Sequence, residues 1–236
     1  MTPEQLSEIQ RLRDRKVNPK QIARKLGLRP AEVKVAIQQQ AEQQYQATLS
    51  ADGMPPLEGC FANGSMVNAL FHRKTKLAAK HGSLGLGTVM VVRQQRNKLI
   101  ASIFLIDYYC LGVKNASSIQ LNSPEKYRQA KAISFESFPE GPKDISLEQA
   151  QAIVFGAVDY AQQLGLSPHA DFQKAKEILG SPLDKLPQLA FGKDGKPFYV
   201  SGPYDQPQQI IQTLERSVGK GNYDYLIQAG PDMDML

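Results

Sequence analysis

Residues 18–37 read NPKQIARKLGLRPAEVKVAI and contain the start and stop signals of two short helices. Asn18 followed by Pro19 is typical of a helix N-cap and first turn, because the amide hydrogen that proline lacks has no helical partner there. Gly27 ends this first helix, since glycine readily takes a left-handed backbone conformation. Pro30 opens the next helix in the same way as Pro19. The stretch therefore predicts two helices joined by a short turn.

Apolar side chains at helical spacing predict how these helices pack. A further helix is expected from Pro3, capped by Thr2, to about Arg15, and the last helix continues into a glutamine-rich tail at 38–46. The residues expected to be buried recur every three or four positions. They are Leu6, Ile9 and Leu12 in the first helix, Ile22, Ala23 and Leu26 in the second, and Val33 and Ile37 in the third. Residues 1–45 are thus predicted to form a three-helix unit.

The spacing across residues 3–42 resembles the helix-turn-helix superfamily, of the homeodomain-like or sigma-factor type. Ala23 is small at the position where two helices of that fold cross, and Gly27 follows four residues later at the turn. Leu28 stands where a side chain fills the space beneath the turn. The resemblance implies that the third helix enters the major groove of DNA while the second crosses the phosphate backbone.

The same resemblance implies roles for the polar and charged side chains. The residues that would face the groove are Arg29, Ala31, Lys34, Val35 and Gln38. Phosphate contacts would come from Lys20, Arg24 and Lys25, extended by Arg11, Arg13 and Arg15. Ala31 and Val35 make the reading face weakly polar, and Glu32 opposes phosphate. Modest specificity, or a requirement for a dimer, follows from these departures.

The formal charge of the chain, +5 over 236 residues, is concentrated at its N-terminus. Residues 1–40 contain nine Lys and Arg against four Asp and Glu, whereas residues 41–236 contain nineteen of each. A basic segment attached to a neutral domain favours a polyanionic partner. Charge and spacing together indicate nucleic acid, with double-stranded DNA as the first choice. The alternative is a protein–protein adaptor whose basic face is solvated.

The rest of the chain predicts a linker and a second domain. Residues 46–58 lose helical periodicity and are rich in Gly and Pro, which predicts the linker. Residues 59–230 predict a mixed α+β domain with antiparallel hairpins, because helices and hairpins do not alternate regularly. The expected helices are 65–80, a short one around Tyr127, 146–164, 171–179 and one after Pro207. The expected strands are 86–92 paired with 99–106, 189–191 paired with 197–200 around Asp194-Gly195, and 223–227.

The second domain contains three residues of the types that form catalytic or metal-binding sites. Asp107 ends a predicted buried strand, while His169 and Asp171 lie in a loop between two predicted helices. If these three met, they would be able to bind a divalent metal or perform acid–base chemistry. Nothing in their spacing brings them together, so we predict no metal and no cofactor, and enzyme activity is left as an open alternative rather than the first choice. Cys60 and Cys110 lack CxxC spacing and predict buried free thiols in a reducing compartment.

Function is predicted mainly from the N-terminal residues. Residues 109–115, YCLGVKN, resemble uncharacterised bacterial proteins, a likeness that implies no activity. We predict a DNA-binding regulatory protein of bacterial type, with residues 59–230 forming a homodimer, sensing a ligand or binding a protein partner. The open alternatives are an RNA- or ribosome-associated factor, and a small metal-dependent hydrolase or nuclease that uses the N-terminus for targeting or protein interaction. Without a secretory signal or an apolar run of about 20 residues, we expect no membrane contact and a cytoplasmic location.

Overall fold

The computed structural model describes residues 1–72, 84–185 and 187–227, and divides into two compact units: unit 1, Met1–Pro56, and unit 2, Leu57–Leu236. The fold is mixed α+β with an antiparallel sheet, which confirms the predicted class. The helices are α1 (Pro3–Asp14), α2 (Pro19–Leu26), α3 (Pro30–Thr48), α4 (Gly64–His72), α5 (Pro124–Phe135), α6 (Leu147–Gln163), α7 (Phe172–Ala175) and α8 (Pro207–Val218). The strands are β1 (Leu57–Asn63), β2 (Leu86–Gln95), β3 (Lys98–Asp107), β4 (Gly112–Leu121), β5 (Pro142–Asp144), β6 (Phe198–Val200) and β7 (Asp224–Leu226).

Local capping sets the ends of the helices in unit 1. The side chain of Asn18 accepts a hydrogen bond from the Gln21 amide at 3.0 Å, and Gly27 ends α2 with a φ angle of 63°. α3 continues to Thr48, because glutamine and alanine are good helix formers even without an apolar stripe. The segment predicted as a linker, 46–58, therefore begins inside α3, and its last two residues belong to β1.

The core of unit 1 is formed by one stripe from each helix. Six side chains there are at most 2 % exposed: Ile9, Leu12, Ile22, Ala23, Val33 and Ala36. The partly buried residues packed around them are Leu6, Val17, Leu26, Leu28 and Ile37. The predicted spacing thus matches the observed packing, with Ala36 added to it. Because the apolar stripes face one another, the charged sides of α2 and α3 are left in solvent.

Five strands of unit 2 form one antiparallel sheet in the order β4-β3-β2-β1-β5. β2 and β3 form the predicted hairpin, in register from Leu86 opposite Asp107 to Gln95 opposite Lys98. β1 and β4 were not predicted as strands. Seven consecutive residues of β2, 87–93, are buried, so side chains on both faces of this strand are covered.

Helices pack on both faces of the sheet. α4, α6, α7 and the 3₁₀ turn Lys176–Leu179 cover one face, and α5 covers part of the other. α6 approaches the start of β4 so closely that a Cβ atom on Gly112 would lie 2.4 Å from the carbonyl oxygen of Ala157 and 2.7 Å from the Cβ of Ala161. Gly112 therefore sets how closely α6 lies against the sheet.

The second predicted hairpin is wrong. Lys193 and Lys196 form an isolated antiparallel bridge around the predicted Asp-Gly turn, but residues 189–191 form no strand. β6 instead pairs in parallel with β7. The amide of Gly192 donates to the carbonyl of Tyr108 at 2.9 Å, so this segment bonds to a distant loop rather than across a hairpin.

The remaining helix predictions fit the described residues in part. The helix expected over 65–80 is present as α4, and its second half lies outside the described residues. The helix expected over 171–179 is α7 followed by the 3₁₀ turn, which ends at Gly180. The long helix expected from 146 to 164 is present as α6, capped by Ser146.

Gly112→Ala is expected to lower the free energy of unfolding by about 2–4 kcal/mol, because the added methyl group displaces α6 and alanine disfavours the left-handed backbone. Gly195→Ala is the matched control: its φ angle is +82°, but its Cβ meets nothing within 4 Å. Only the backbone cost of about 1–2 kcal/mol then remains. Urea unfolding followed by circular dichroism measures both variants. Equal losses would contradict the close contact between Gly112 and α6.

Candidate nucleic-acid interface

All nine residues predicted to contact nucleic acid are exposed on unit 1. They are Arg11, Arg13, Arg15, Lys20, Arg24, Lys25, Arg29, Lys34 and Gln38. Their exposure does not make them equivalent, because some of these side chains already have partners within the unit. Arg11 forms an ion pair with an acid of the same helix, whereas Lys20, Arg24 and Lys34 have no such partner.

Arg11 is held by Glu8, three residues earlier in α1. Its guanidinium donates to both carboxylate oxygens, at 2.7 and 2.8 Å. The hydrogen bond from Arg11 lowers the pKa of Glu8, and the positive charges of Arg11, Lys25 and Arg15 lower it further. Glu8 therefore neutralises part of the positive charge along α1 and on the side of α2 that carries Lys25.

The cations on the other side of α2 and on α3 are not neutralised in this way. The side chains of Lys20, Arg24 and Lys34 make no hydrogen bond or ion pair with any residue that the structure describes. Lys20 and Arg24 are four residues apart and share one face of α2. Arg13, by contrast, donates to the carbonyl of Val17 at 3.3 Å. That carbonyl is neutral, so Arg13 keeps its charge. α1 contains three acids against two arginines, whereas α2 contains three cations and no acid, so the positive charge available to a partner is concentrated on α2.

The side chain of Glu32, in the first turn of α3, bonds to the N-terminal end of its own helix. The carboxylate of Glu32 accepts a hydrogen bond from the amide of Arg29 at 3.1 Å. A carboxylate at this position satisfies a terminal amide and is favoured by the helix dipole. The repulsion of phosphate expected from Glu32 is thus reduced, since its charge is offset at the start of the helix.

The outer face of α3 combines apolar and amide side chains. Ala31 and Val35 are exposed one helical turn apart, and Val35 is 51 % exposed. Gln38 is exposed one turn after Val35. A groove of about 630 Å³ runs beside this face, between α3 and the first half of α1. Its lining residues are Met1, Gln5, Leu6, Leu28, Ala31, Glu32, Val35, Ala36 and Gln39.

Asp107 accepts hydrogen bonds within the turn between β3 and β4. The residue is 3 % exposed, and its Oδ1 accepts the amide hydrogens of Tyr109 and Cys110, both at 3.0 Å. Burial raises the pKa of Asp107 to about 6, although these amides and the charge of Lys114 act in the opposite direction. The carboxylate therefore holds the turn instead of opening toward a substrate.

His169 and Asp171 lie next to each other, but they do not form a metal site with Asp107. The Nδ1 atom of His169 accepts the Asp171 amide at 3.2 Å, and both side chains extend to the surface. Across the described residues, which include all three, no group of His, Cys, Asp or Glu is arranged to hold a metal ion. Cys110 is buried in a cluster with Leu164, and burial raises the pKa of its thiol, as burial also raises that of Cys60.

One partly buried ion pair near this turn was not predicted from the sequence. The Nζ of Lys114 lies 2.7 Å from Oδ2 of Asp205, and the two side chains are 20 % and 10 % exposed. The same oxygen accepts the Gly202 amide at 2.7 Å and the Tyr199 hydroxyl at 3.3 Å. No local pattern links residues so far apart in the chain. The pair joins β4 to the loop after β6, which is a structural role.

Comparisons of the chain with protein-family models, curated proteins and solved structures give no match. The helix-turn-helix resemblance of residues 3–42 therefore stays a prediction that rests on the residues themselves. No helix among the described residues is long and apolar enough to span a bilayer.

The buried carboxyl of Asp107 predicts a pH-dependent term in stability. Its pKa is raised from 3.8 to about 6 by burial, so the folded state binds this proton more tightly than the unfolded state. The contribution of the protonated Asp107 carboxyl to the free energy of unfolding is fully present below pH 3.8. It is lost as the pH rises through 6, a decrease of about 3 kcal/mol. Asp107→Asn keeps an oxygen acceptor for the two amides but cannot ionise.

Urea unfolding of the natural chain and of Asp107→Asn, in steps between about pH 4 and about pH 7, isolates this term. The free energy of unfolding of the natural chain, minus that of the variant, should decrease with rising pH and level off near pH 7. A difference that increases with pH would show that the backbone amides outweigh burial and lower the pKa instead.

Proposed function

We propose that the chain is a DNA-binding regulatory protein that contacts the duplex through α2, the turn after Gly27, and α3. The observation that carries the proposal is the set of exposed, unneutralised cations on these two helices, led by Lys20, Arg24 and Lys34. Each cation that replaces a condensed counterion on a phosphate adds affinity through release of that ion. The charge therefore supports binding to a polyanion, and the shape of α2 and α3 supports one kind of polyanion over another.

The arrangement of α2 and α3 favours double-stranded DNA over RNA. The exposed face of α3 carries the short side chains of Ala31 and Val35, and Gln38 lies one turn after Val35. The major groove of B-DNA is wide enough to admit such a helix, whereas the major groove of A-form RNA is deep and narrow. A helix that reads base edges is useful only in the first case.

Unit 2 is proposed as the regulatory part of the chain. Unit 2 contains nineteen Lys and Arg against seventeen Asp and Glu, so its 180 residues carry a net charge of only +2 and offer little general attraction for phosphate. The acid considered as a catalytic candidate there, Asp107, accepts two amides within the turn between β3 and β4. We infer that unit 2 dimerises or binds a ligand or partner, and that unit 1 supplies the contact with DNA.

Salt-dependent binding tests the proposal. Fluorescence anisotropy with the full chain and labelled duplex DNA, duplex RNA and single strands should rank duplex DNA first. With about four phosphate contacts, affinity for the duplex should fall roughly 100-fold between about 50 mM and about 200 mM salt. Tighter binding of RNA would support an RNA-associated factor instead. Absence of binding to all three at low salt would overturn nucleic-acid binding altogether.

A matched pair of variants locates the contact. Arg24→Ala and Arg11→Ala each remove one arginine from unit 1, so they change the net charge equally. Arg24 has no described partner, whereas Arg11 is held by Glu8. Arg24→Ala should weaken binding to every duplex and reduce the slope of log affinity against log salt by about 0.9. Arg11→Ala should change the slope much less, and equal effects would rule out the α2–α3 face as the specific contact.

A further inference from the structure

We infer that Val35 contacts the C5-methyl group of a thymine, and that Gln38 pairs with an adenine at the neighbouring step, so that the preferred DNA site contains adjacent A·T pairs. The inference rests on the proposed function and specifies which bases the outer face of α3 would select. It concerns two side chains whose exposure has no explanation in the packing of unit 1.

Val35 is an unusual residue for the outer face of a helix. It is 51 % exposed, although its neighbours on α3 are mostly glutamine, lysine and glutamate. A β-branched residue there gives up helix propensity without gaining burial in the core, which receives Val33 and Ala36 instead. Its side chain has few rotamers, so its two methyl groups are held in nearly fixed positions. Such a side chain loses little entropy on contacting an apolar group.

The major groove offers one apolar group of this size. Thymine exposes a C5-methyl there, and none of the other three bases does. Gln38 lies three residues after Val35 and has no hydrogen bond with any described residue. A glutamine amide matches the N6 and N7 atoms of adenine. The two helical positions are about 4.5 Å apart along α3, and base pairs are ~3.4 Å apart, so side chains at these positions can reach neighbouring base pairs.

Charge decides between DNA and another protein chain as the occupant of this face. Val35 also lines the groove that Leu6 and Leu28 enter, so a second copy could in principle cover it. The groove itself is lined by Glu32 and by no lysine or arginine, but Lys34 precedes Val35 on α3, and Lys20 and Arg24 are two further unneutralised cations of unit 1. A second copy would carry the same excess of positive charge, which disfavours its association, whereas DNA phosphates complement that charge.

The test removes the methyl groups on each side of the contact, which are the C5-methyl of thymine and the two γ-methyls of Val35. The preferred duplex is first selected from a randomised library with the full chain, and each thymine is then replaced in turn by uracil, which lacks only the C5-methyl. For the natural chain, one replacement should weaken binding about fourfold. Val35→Ala should bind the thymine and uracil duplexes equally. Gln38→Ala should lose the preference for adenine at the neighbouring pair.

Arg24→Ala serves as the control, because it should weaken binding while leaving the fourfold uracil effect intact. The inference is overturned if the natural chain tolerates every uracil replacement, or if Val35→Ala still distinguishes the two duplexes. A change of oligomeric state in Val35→Ala during size-exclusion chromatography, with the uracil effect retained, would identify a second copy as the occupant. Failure of the proposed function differs from all of these outcomes, since no duplex would then be selected.

Discussion

The carboxylate of Asp107 accepts the amides of Tyr109 and Cys110, and three separate segments attach to the backbone of the turn that it holds. The carbonyl of Gly85 accepts the Tyr108 amide, while the Tyr108 and Tyr109 carbonyls accept amides from Gly192 and Phe198. Gly112 then brings α6 against the end of the same turn. Unit 2 depends on this turn because loops far apart in the chain have their hydrogen-bond partners there. Holding the turn in this way requires that the carboxyl of Asp107 be buried, which is unfavourable for its charged form.

Unit 1 separates its stabilising charges from its available charges. Glu8 forms an ion pair with Arg11 and so reduces the free positive charge on α1. Glu32 accepts the Arg29 amide at the start of α3. Lys20, Arg24 and Lys34, which have no such partner, are on α2 and α3. A uniformly basic surface would attract polyanions without orienting them. A surface whose free charge is concentrated on particular helices can also set the direction in which a helix approaches a duplex.

Much of unit 1 could be predicted from the sequence, because its signals are local. Asn18, Gly27 and the spacing of apolar residues act within one or two turns of helix, and the observed caps and core follow them. The pairing of Arg11 with Glu8 was also available from their spacing of three residues. The proximity of Lys25 to Glu8 could not be predicted from the sequence, because it depends on the packing of α1 against α2.

Unit 2 was less predictable because its strands depend on distant partners. β4 is largely polar on its exposed positions and becomes a strand through pairing with β3. The region around Asp194 has a strong hairpin signal, but its neighbouring residues find partners in the β3–β4 turn. The candidate site failed for a related reason. A sequence shows that Asp107 ends a strand, but it does not show that its carboxylate accepts the amides of Tyr109 and Cys110.

The parallel pairing of β6 with β7 makes unit 2 dependent on the last described part of the chain. The amide of Ser201 donates to Leu226, and the amide of Asp224 donates to Pro197, so β6 is completed from the far side of α8. During synthesis β6 leaves the ribosome before its partner has been made, and the Ser201 amide and the Pro197 carbonyl stay without these partners until β7 has followed α8. A chain interrupted within α8 would present that open edge to chaperones and proteases.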